Sequence, residues 1–180
     1  MVLGGPGNGK STLAAELARR LDPTHIELDG LYHVTALGSA TDEEFRASLI
    51  ERMAAAPRGW VTCGNYLSKC GDLMFPPADT AIWLDHGRWL VTWRTAKRTI
   101  RRAVTRQKLF GNDIREPLTN FYRWDPAENV IRWAWVYHPR YRREIPAYLA
   151  RPECDHLTVH HLCSSAEVAE FLAGVPDPDR

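Results

Sequence analysis

The chain has 180 residues, with 23 Lys plus Arg against 22 Asp plus Glu, and its formal net charge of +1 sets up no global field toward nucleic acid or a membrane surface. That length suits one hydrophobic core and one domain, and no apolar run approaches the roughly 20 residues that span a bilayer. The basic side is skewed to 19 Arg and 4 Lys, which suits bidentate clamping of oxyanions but is also what a high-GC genome produces.

Cys63, Cys70, Cys154 and Cys163 show no C-x-x-C pairing, and no signal peptide precedes the first motif, so a reduced, cytoplasmic setting is expected. The densest metal-capable group is Cys154, His156, His160, His161 and Cys163. The alternation of Leu157, Val159 and Leu162 through it reads more simply as a strand with polar residues between.

In chain order, short apolar runs alternate with longer amphipathic ones, the pattern of βαβ units around a mainly parallel sheet. Met1 to Leu3 supplies only the end of a first strand, as if the natural chain begins earlier or this strand is truncated. A helix follows over Lys10 to Leu21, then a second strand over His25 to Leu28. Thr41 with Glu44 forms a capping box ahead of a helix to about Ala55. Trp60 to Cys63 and Thr80 to Leu84 are the third and fourth strands.

From Arg88 to about Arg106 a helix carries Trp89, Leu90, Trp93 and Ile100 along one side. Gln107 to Leu118 lacks apolar periodicity and reads as a mobile loop, a candidate lid. Two helices, at about Glu128 to Tyr137 and Arg140 to Ala150, precede a fifth strand over His156 to Leu162. Ser164 with Glu167 caps a last helix to Ala173; one domain over 1–175 and a frayed tail over 176–180 complete the expectation.

Gly4-Gly5-Pro6-Gly7-Asn8-Gly9-Lys10-Ser11 satisfies G-x-x-x-x-G-K-[ST] and sits between a strand and an amphipathic helix, where such a loop works. Its glycines let consecutive N–H groups turn inward as an anion nest at a helix N-terminus. Lys10 is expected to reach the β- and γ-phosphates of ATP or a related triphosphate, with the Ser11 hydroxyl on Mg²⁺ and Thr12 closing the binding loop.

Three features favour a small kinase over GTPases, motor ATPases or regulators. The chain has no room for added motor modules. Glu27-Leu28-Asp29-Gly30 sets Asp29 at the carboxyl end of strand two, where ligands bind in open α/β sheets. There Asp29 holds magnesium through water, accepts a proton from a substrate hydroxyl, or serves only as a turn-forming Asp-Gly. Arg94, Arg98 and Arg102 fall at i, i+4, i+8, with Arg115 in the loop beyond. Such arginines neutralise charge on a transferred phosphoryl group when a lid closes, although a solvated helix face explains the stripe as well.

At these residues the sequence resembles the DNA-topology-modulation family of adenylate-kinase-like P-loop proteins. The likeness rests on Gly4 to Thr12, Leu28-Asp29-Gly30-Leu31, Gly64-Asn65-Tyr66, Ile82-Trp83-Leu84-Asp85 with Arg88-Trp89, the helix from Trp93-Arg94 to Arg102, and Phe121 to Trp124. It implies a P-loop three-layer sandwich with a five-stranded parallel sheet of nucleoside-monophosphate-kinase type, a lid, ATP and magnesium. Such proteins carry an Asp before the Gly-Asn-Tyr at the end of strand three, where this chain has Cys63. Similar small-molecule kinases place an acid at the end of strand two, a role open to Asp29. The family name suggests DNA, yet the sequence has no helix-turn-helix, zinc finger or net basic charge.

The resulting expectation is a magnesium- and ATP-dependent phosphotransferase acting on a nucleotide or a hydroxyl-bearing metabolite. Lys10, Asp29, Arg98 and Arg102 would carry catalysis, Ser11 and Asp29 the metal, and Asp29, Asn65, Arg94 and Arg115 the acceptor. The rivals are an ATP-binding regulator with little turnover and a protein acting on nucleic acid. Trp124, Trp133, Trp135 and Tyr137 read as packing rather than as a base-stacking platform.

Overall fold

This computed structural model describes residues 1–33, 39–106, 108–109, 114–115 and 123–177. Its strands are β1 (Val2–Leu3), β2 (Thr24–Glu27), β3 (Trp60–Cys63), β4 (Thr80–Leu84), β5 (Lys108–Leu109), β6 (Ile114–Arg115) and β7 (Thr158–Leu162). Five of them form one all-parallel sheet in the order β2-β3-β1-β4-β7. The helices are α1 (Lys10–Leu21), α2 (Leu28–Tyr32), α3 (Asp42–Ala54), α4 (Leu67–Met74), α5 (Arg88–Thr105), α6 (Val130–Leu149) and α7 (Ser165–Ala173). Among the described residues no helix is long and apolar enough to cross a membrane.

Side chains alternate across each strand, so the sheet feeds two cores. Leu3, Ile26 and Ala81 join Phe45, Leu49, Met74 and Phe75 on the side of α3 and α4. Val2, Val61, Ile82 and Leu84 join Leu13, Ala14 and Leu17 of α1, with Phe171 and Leu172 of α7 beside them. Phe45 and Phe75 are wholly buried, and each such side chain contributes about 1.5–3 kcal/mol against an exposed reference.

The expected caps are present. Glu44 N donates to Thr41 Oγ1 at 3.2 Å while Thr41 N donates to Glu44 Oε2 at 2.8 Å, and Glu167 N donates to Ser164 Oγ at 3.1 Å. Several boundaries differ from the sequence reading. β2 ends at Glu27, and Leu28 opens a short helix, so Asp29 sits in the first turn of α2 rather than directly at the strand's end. The sequence signals no helix at Leu67–Met74, because Gly71 interrupts its apolar pattern. That glycine admits the Phe75 ring, which would stand 2.9 Å from a Cβ there.

The two helices expected around Pro139 are one. Proline at 139 has no N–H for the Trp135 carbonyl, which would normally break a helix. Arg88 Nε donates to that oxygen at 2.8 Å, and its guanidinium lies 3.9 Å from the centre of the Trp135 ring. The neighbouring helix therefore satisfies the acceptor that proline orphans, and α6 continues.

α5 turns opposite to its hydrophobic pattern. Trp89, Trp93 and Ile100 are 78, 66 and 52 % exposed, while Val91, Thr95 and Thr99 are buried. The reason is close approach to the glycine loop, where only small inward residues fit. Where a loop is expected between Gln107 and Leu118, β5 and β6 pair antiparallel, Lys108 against Arg115 and Leu109 against Ile114. The Arg115 side chain and the remainder of that segment lie outside the described residues. In the tail, Arg19 Nη2 reaches Asp177 Oδ1 at 2.9 Å and Arg20 Nη2 reaches Asp177 Oδ2 at 3.5 Å, which ties down residues expected to fray.

Candidate functional site

Strand register brings the carboxyl ends of four strands side by side. Val2 pairs with both Cys63 and Ile82, and Glu27 pairs with Cys63. The chain leaves β1 toward β2 but leaves β4 toward β7, in opposite directions, which opens a crevice where open α/β sheets bind ligands.

The Gly4–Gly9 loop lies at that crevice. Gly4, Gly7 and Gly9 have φ of 140°, 77° and 92°, a region that disfavours side chains. At Gly7 a Cβ would stand 2.2 Å from the Val91 carbonyl oxygen and 2.5 Å from Thr95 Oγ1, which explains why α5 presents small residues here. The buried Asn8 acts as a strap: its Nδ2 donates to Gly5 O at 3.2 Å, and its Oδ1 accepts the His86 backbone N–H at 2.9 Å. His138 Nε2 in turn donates to the His86 carbonyl at 2.9 Å, so α6 braces the loop through one residue.

Gly9 is the N-cap of α1, and no side chain caps that helix. Its first-turn N–H groups and the positive end of its dipole are thus left for an anion. Lys10 Nζ donates to Gly5 O at 2.9 Å. Burial pushes the Lys10 ammonium below its ordinary pKa; Asp29 and Glu27 draw it back up, and Arg98 pushes it further down.

Ser11 Oγ donates to Glu27 Oε1 at 3.1 Å and receives Cys63 Sγ at 3.6 Å. His25 Nε2 lies 3.2 Å from the same sulfur. Burial pushes the Cys63 thiol up to about 11, so it is neutral at pH 7 and brings no charge to the end of β3. Asp29 accepts the Tyr66 hydroxyl at 2.9 Å, and burial together with Asp29 raises that phenol well above its ordinary range. Asn65 instead sits beside the Tyr141 hydroxyl, which accepts Trp133 Nε1 at 2.8 Å.

A cleft of about 850 Å³ opens from the loop, lined by Gly7, Asn8, Gly9 and Thr12 on one side and by Arg94 and Arg98 on the other. Arg94 Nη2 donates to Ser165 Oγ at 2.8 Å, which links α5 to the start of α7. His86 also lines the cleft, and its Nε2 is buried with no hydrogen-bond partner among the described residues. Burial first, then the Arg94 charge, pushes its imidazole pKa down and favours the neutral ring.

Of the expected site residues, Gly7, Asn8, Gly9, Thr12, Arg94 and Arg98 line one cleft, and Lys10 lies close enough to Asp29 and Arg98 to feel both charges. Arg102 lies a turn further along α5, half-buried, and is not among the residues lining the cleft. Sequence reasoning missed Glu27 and His86. Glu27 could have been found from its place two residues before Asp29, had the strand end been set correctly; nothing local in the sequence marks His86.

No protein-family model matches the chain. It is similar to the uncharacterized protein YqaC of Bacillus subtilis (strain 168), 25% identical over 171 residues that span 92% of this chain and 90% of that protein.

Proposed function

We propose that the chain is an ATP- and magnesium-dependent phosphotransferase of the adenylate-kinase-like P-loop type, moving the terminal phosphate to a nucleotide or a hydroxyl-bearing metabolite. The observation that carries this reading is the uncapped N-terminus of α1 behind a loop with left-handed glycines, with Lys10 folded back on Gly5 O. That lysine is a cation held in reserve. A phosphate oxygen is a stronger acceptor than a carbonyl, so Lys10 exchanges one for the other when an anion enters the nest.

The residues also fit a hard cation. Ser11 and Glu27 supply oxygen donors in contact, with Asp29 near Lys10 on the same rim. Bound magnesium would supply charge neutralisation on the phosphates. Arg94 and Arg98, facing the loop across the cleft, are positioned to balance negative charge on the transferred group. Asp29, oriented by Tyr66, is the group to take the acceptor's proton.

The test is a coupled ADP-release screen with Mg-ATP against nucleotides, sugars and hydroxy acids. An acceptor-dependent rate is expected, and tight ATP binding with no acceptor-dependent rate would overturn the enzyme reading. One observation favours that second reading, an ATP-binding regulator: the neutral Cys63 thiol at the end of β3. The nucleic-acid reading loses support, since Arg94 and Arg98 of the arginine stripe line the cleft rather than an outer face.

A further inference from the structure

The parallel ladder between β4 and β7 pairs Trp83 with His161 and Leu84 with Leu162. Asp85 extends it, its N–H donating to Leu162 O at 2.9 Å. Two residues further along each strand, on the same face, the register sets Asp85 beside Cys163. The result is a small block of side chains at the sheet's carboxyl edge: Trp83 and Asp85 on one strand, His161 and Cys163 on the other.

Within that block three different donor atoms converge. His161 Nε2 lies 3.3 Å from Asp85 Oδ2 and 3.4 Å from Cys163 Sγ, and all three atoms fall within 4.8 Å of one another. Tetrahedral zinc, with bonds of about 2.0–2.2 Å to nitrogen and oxygen and about 2.3 Å to sulfur, requires separations of roughly 3.4 Å between N and O and 3.6 Å between N and S. The two distances from His161 already stand close to those spacings.

We propose that Asp85, His161 and Cys163 form a binding site for a borderline-soft divalent cation of the zinc class, with a fourth position open to water. Thiolate, imidazole and carboxylate together select such an ion over magnesium or calcium, which take oxygen ligands. Supporting contacts surround the site. The Trp83 ring stacks on His161 at 3.8 Å between centroids and 7° between planes, which fixes the imidazole's orientation. Arg142 Nε donates to Asp85 Oδ2 at 2.9 Å, the same oxygen that faces His161 Nε2, and so fixes the carboxylate in place. The Asp85 side chain is only 4 % exposed whereas His161 is 42 % exposed, so the site has a fixed floor and an accessible rim.

An ion held here would join the ends of β4 and β7. Asp85 directly precedes His86, whose N–H holds Asn8 in the glycine loop, so the ion would stiffen the support of the cleft. The site stands on residues distinct from those proposed to hold phosphate, and neither reading depends on the other.

The test uses the full chain, reduced and without nucleotide. Cobalt(II) titrated into the wild type is expected to give a thiolate-to-metal charge-transfer band at one equivalent, and zinc should displace it. Cys163→Ser should abolish the band. His161→Ala should weaken zinc, measured by competition with a chromophoric chelator, by more than about a hundredfold, since losing even an outer partner typically costs 10–100-fold. Cys163 and His161 are both exposed, and circular dichroism confirms that the variants fold. No band in the wild type, or a band that survives Cys163→Ser, overturns the site.

Discussion

Ser11 Oγ donates to Glu27 Oε1 across 3.1 Å, which ties the first turn of α1 to the last residue of β2. The hydroxyl proposed to meet magnesium therefore has a carboxylate beside it. Glu27→Gln keeps the shape and an acceptor for Ser11 but removes the charge. The magnesium concentration for half-maximal ADP release should rise at least about tenfold, equivalent to roughly 1.4 kcal/mol. An unchanged magnesium dependence would separate Glu27 from the metal.

Lys10→Ala should leave the fold intact and lower acceptor-dependent turnover at least about a hundredfold, roughly 2.7 kcal/mol of transition-state stabilisation. Steady-state ADP release on a variant with native circular dichroism is the measurement. Near-normal activity would end the phosphotransferase reading.

Much of this site was legible because it rests on local rules. The glycine loop, the helix after it and the Thr41 and Ser164 caps follow from residue types at fixed short spacings, and they stand where those spacings set them. The misreadings are tertiary. α5 hides threonines and exposes tryptophans because Gly7 lets the two backbones meet, a constraint that no helical periodicity carries. Pro139 looks like a helix breaker until Arg88, 51 positions earlier, supplies the missing donor. Asp85 and His161, far apart in sequence, meet only through strand register.

The Arg88 contact yields a stability prediction. Arg88→Ala strands a partly buried carbonyl and should cost about 1–3 kcal/mol. For a chain of this size that lowers Tm by about 2–4 °C per kcal/mol. Pro139→Ala restores the local N–H, so thermal denaturation should show Arg88→Ala costing clearly less in that background. Equal losses in both backgrounds would mean that the Trp135 carbonyl is not what Arg88 serves.

Acid should destabilise the fold through two histidines. Burial lowers the pKa of both His25 and His86 in the folded state, so the unfolded chain binds protons first as pH falls. Their contribution is intact above the unfolded value of about 6.5 and is lost as pH falls from there through the folded pKa values. Tm measured from about pH 8 to about pH 5 should therefore drop on the acid side, and His25→Asn should flatten part of that slope. A slope unchanged in the variant would remove His25 from the account.

Asp29 is the expected general base. Asp29 accepts the Tyr66 hydroxyl at 2.9 Å, and its charge helps hold Lys10 protonated against burial. Asp29→Asn is nearly isosteric and keeps an acceptor for Tyr66, so the packing of Tyr66 with Tyr32 and Phe45 should survive. What disappears is the negative charge that takes the acceptor's proton, a loss that typically costs about 10² to 10⁴ in rate. ATP affinity should change far less, because the nest donors stay in place and Glu27 still favours the Lys10 ammonium. Calorimetry of ATP binding and acceptor phosphorylation, run on one preparation with Glu27→Gln and Cys63→Ala alongside, separates the candidates. Normal turnover in Asp29→Asn with a dead Glu27→Gln would move the base to Glu27, two residues back on the strand. A dead Cys63→Ala with both carboxylate variants active would move the chemistry to the end of β3.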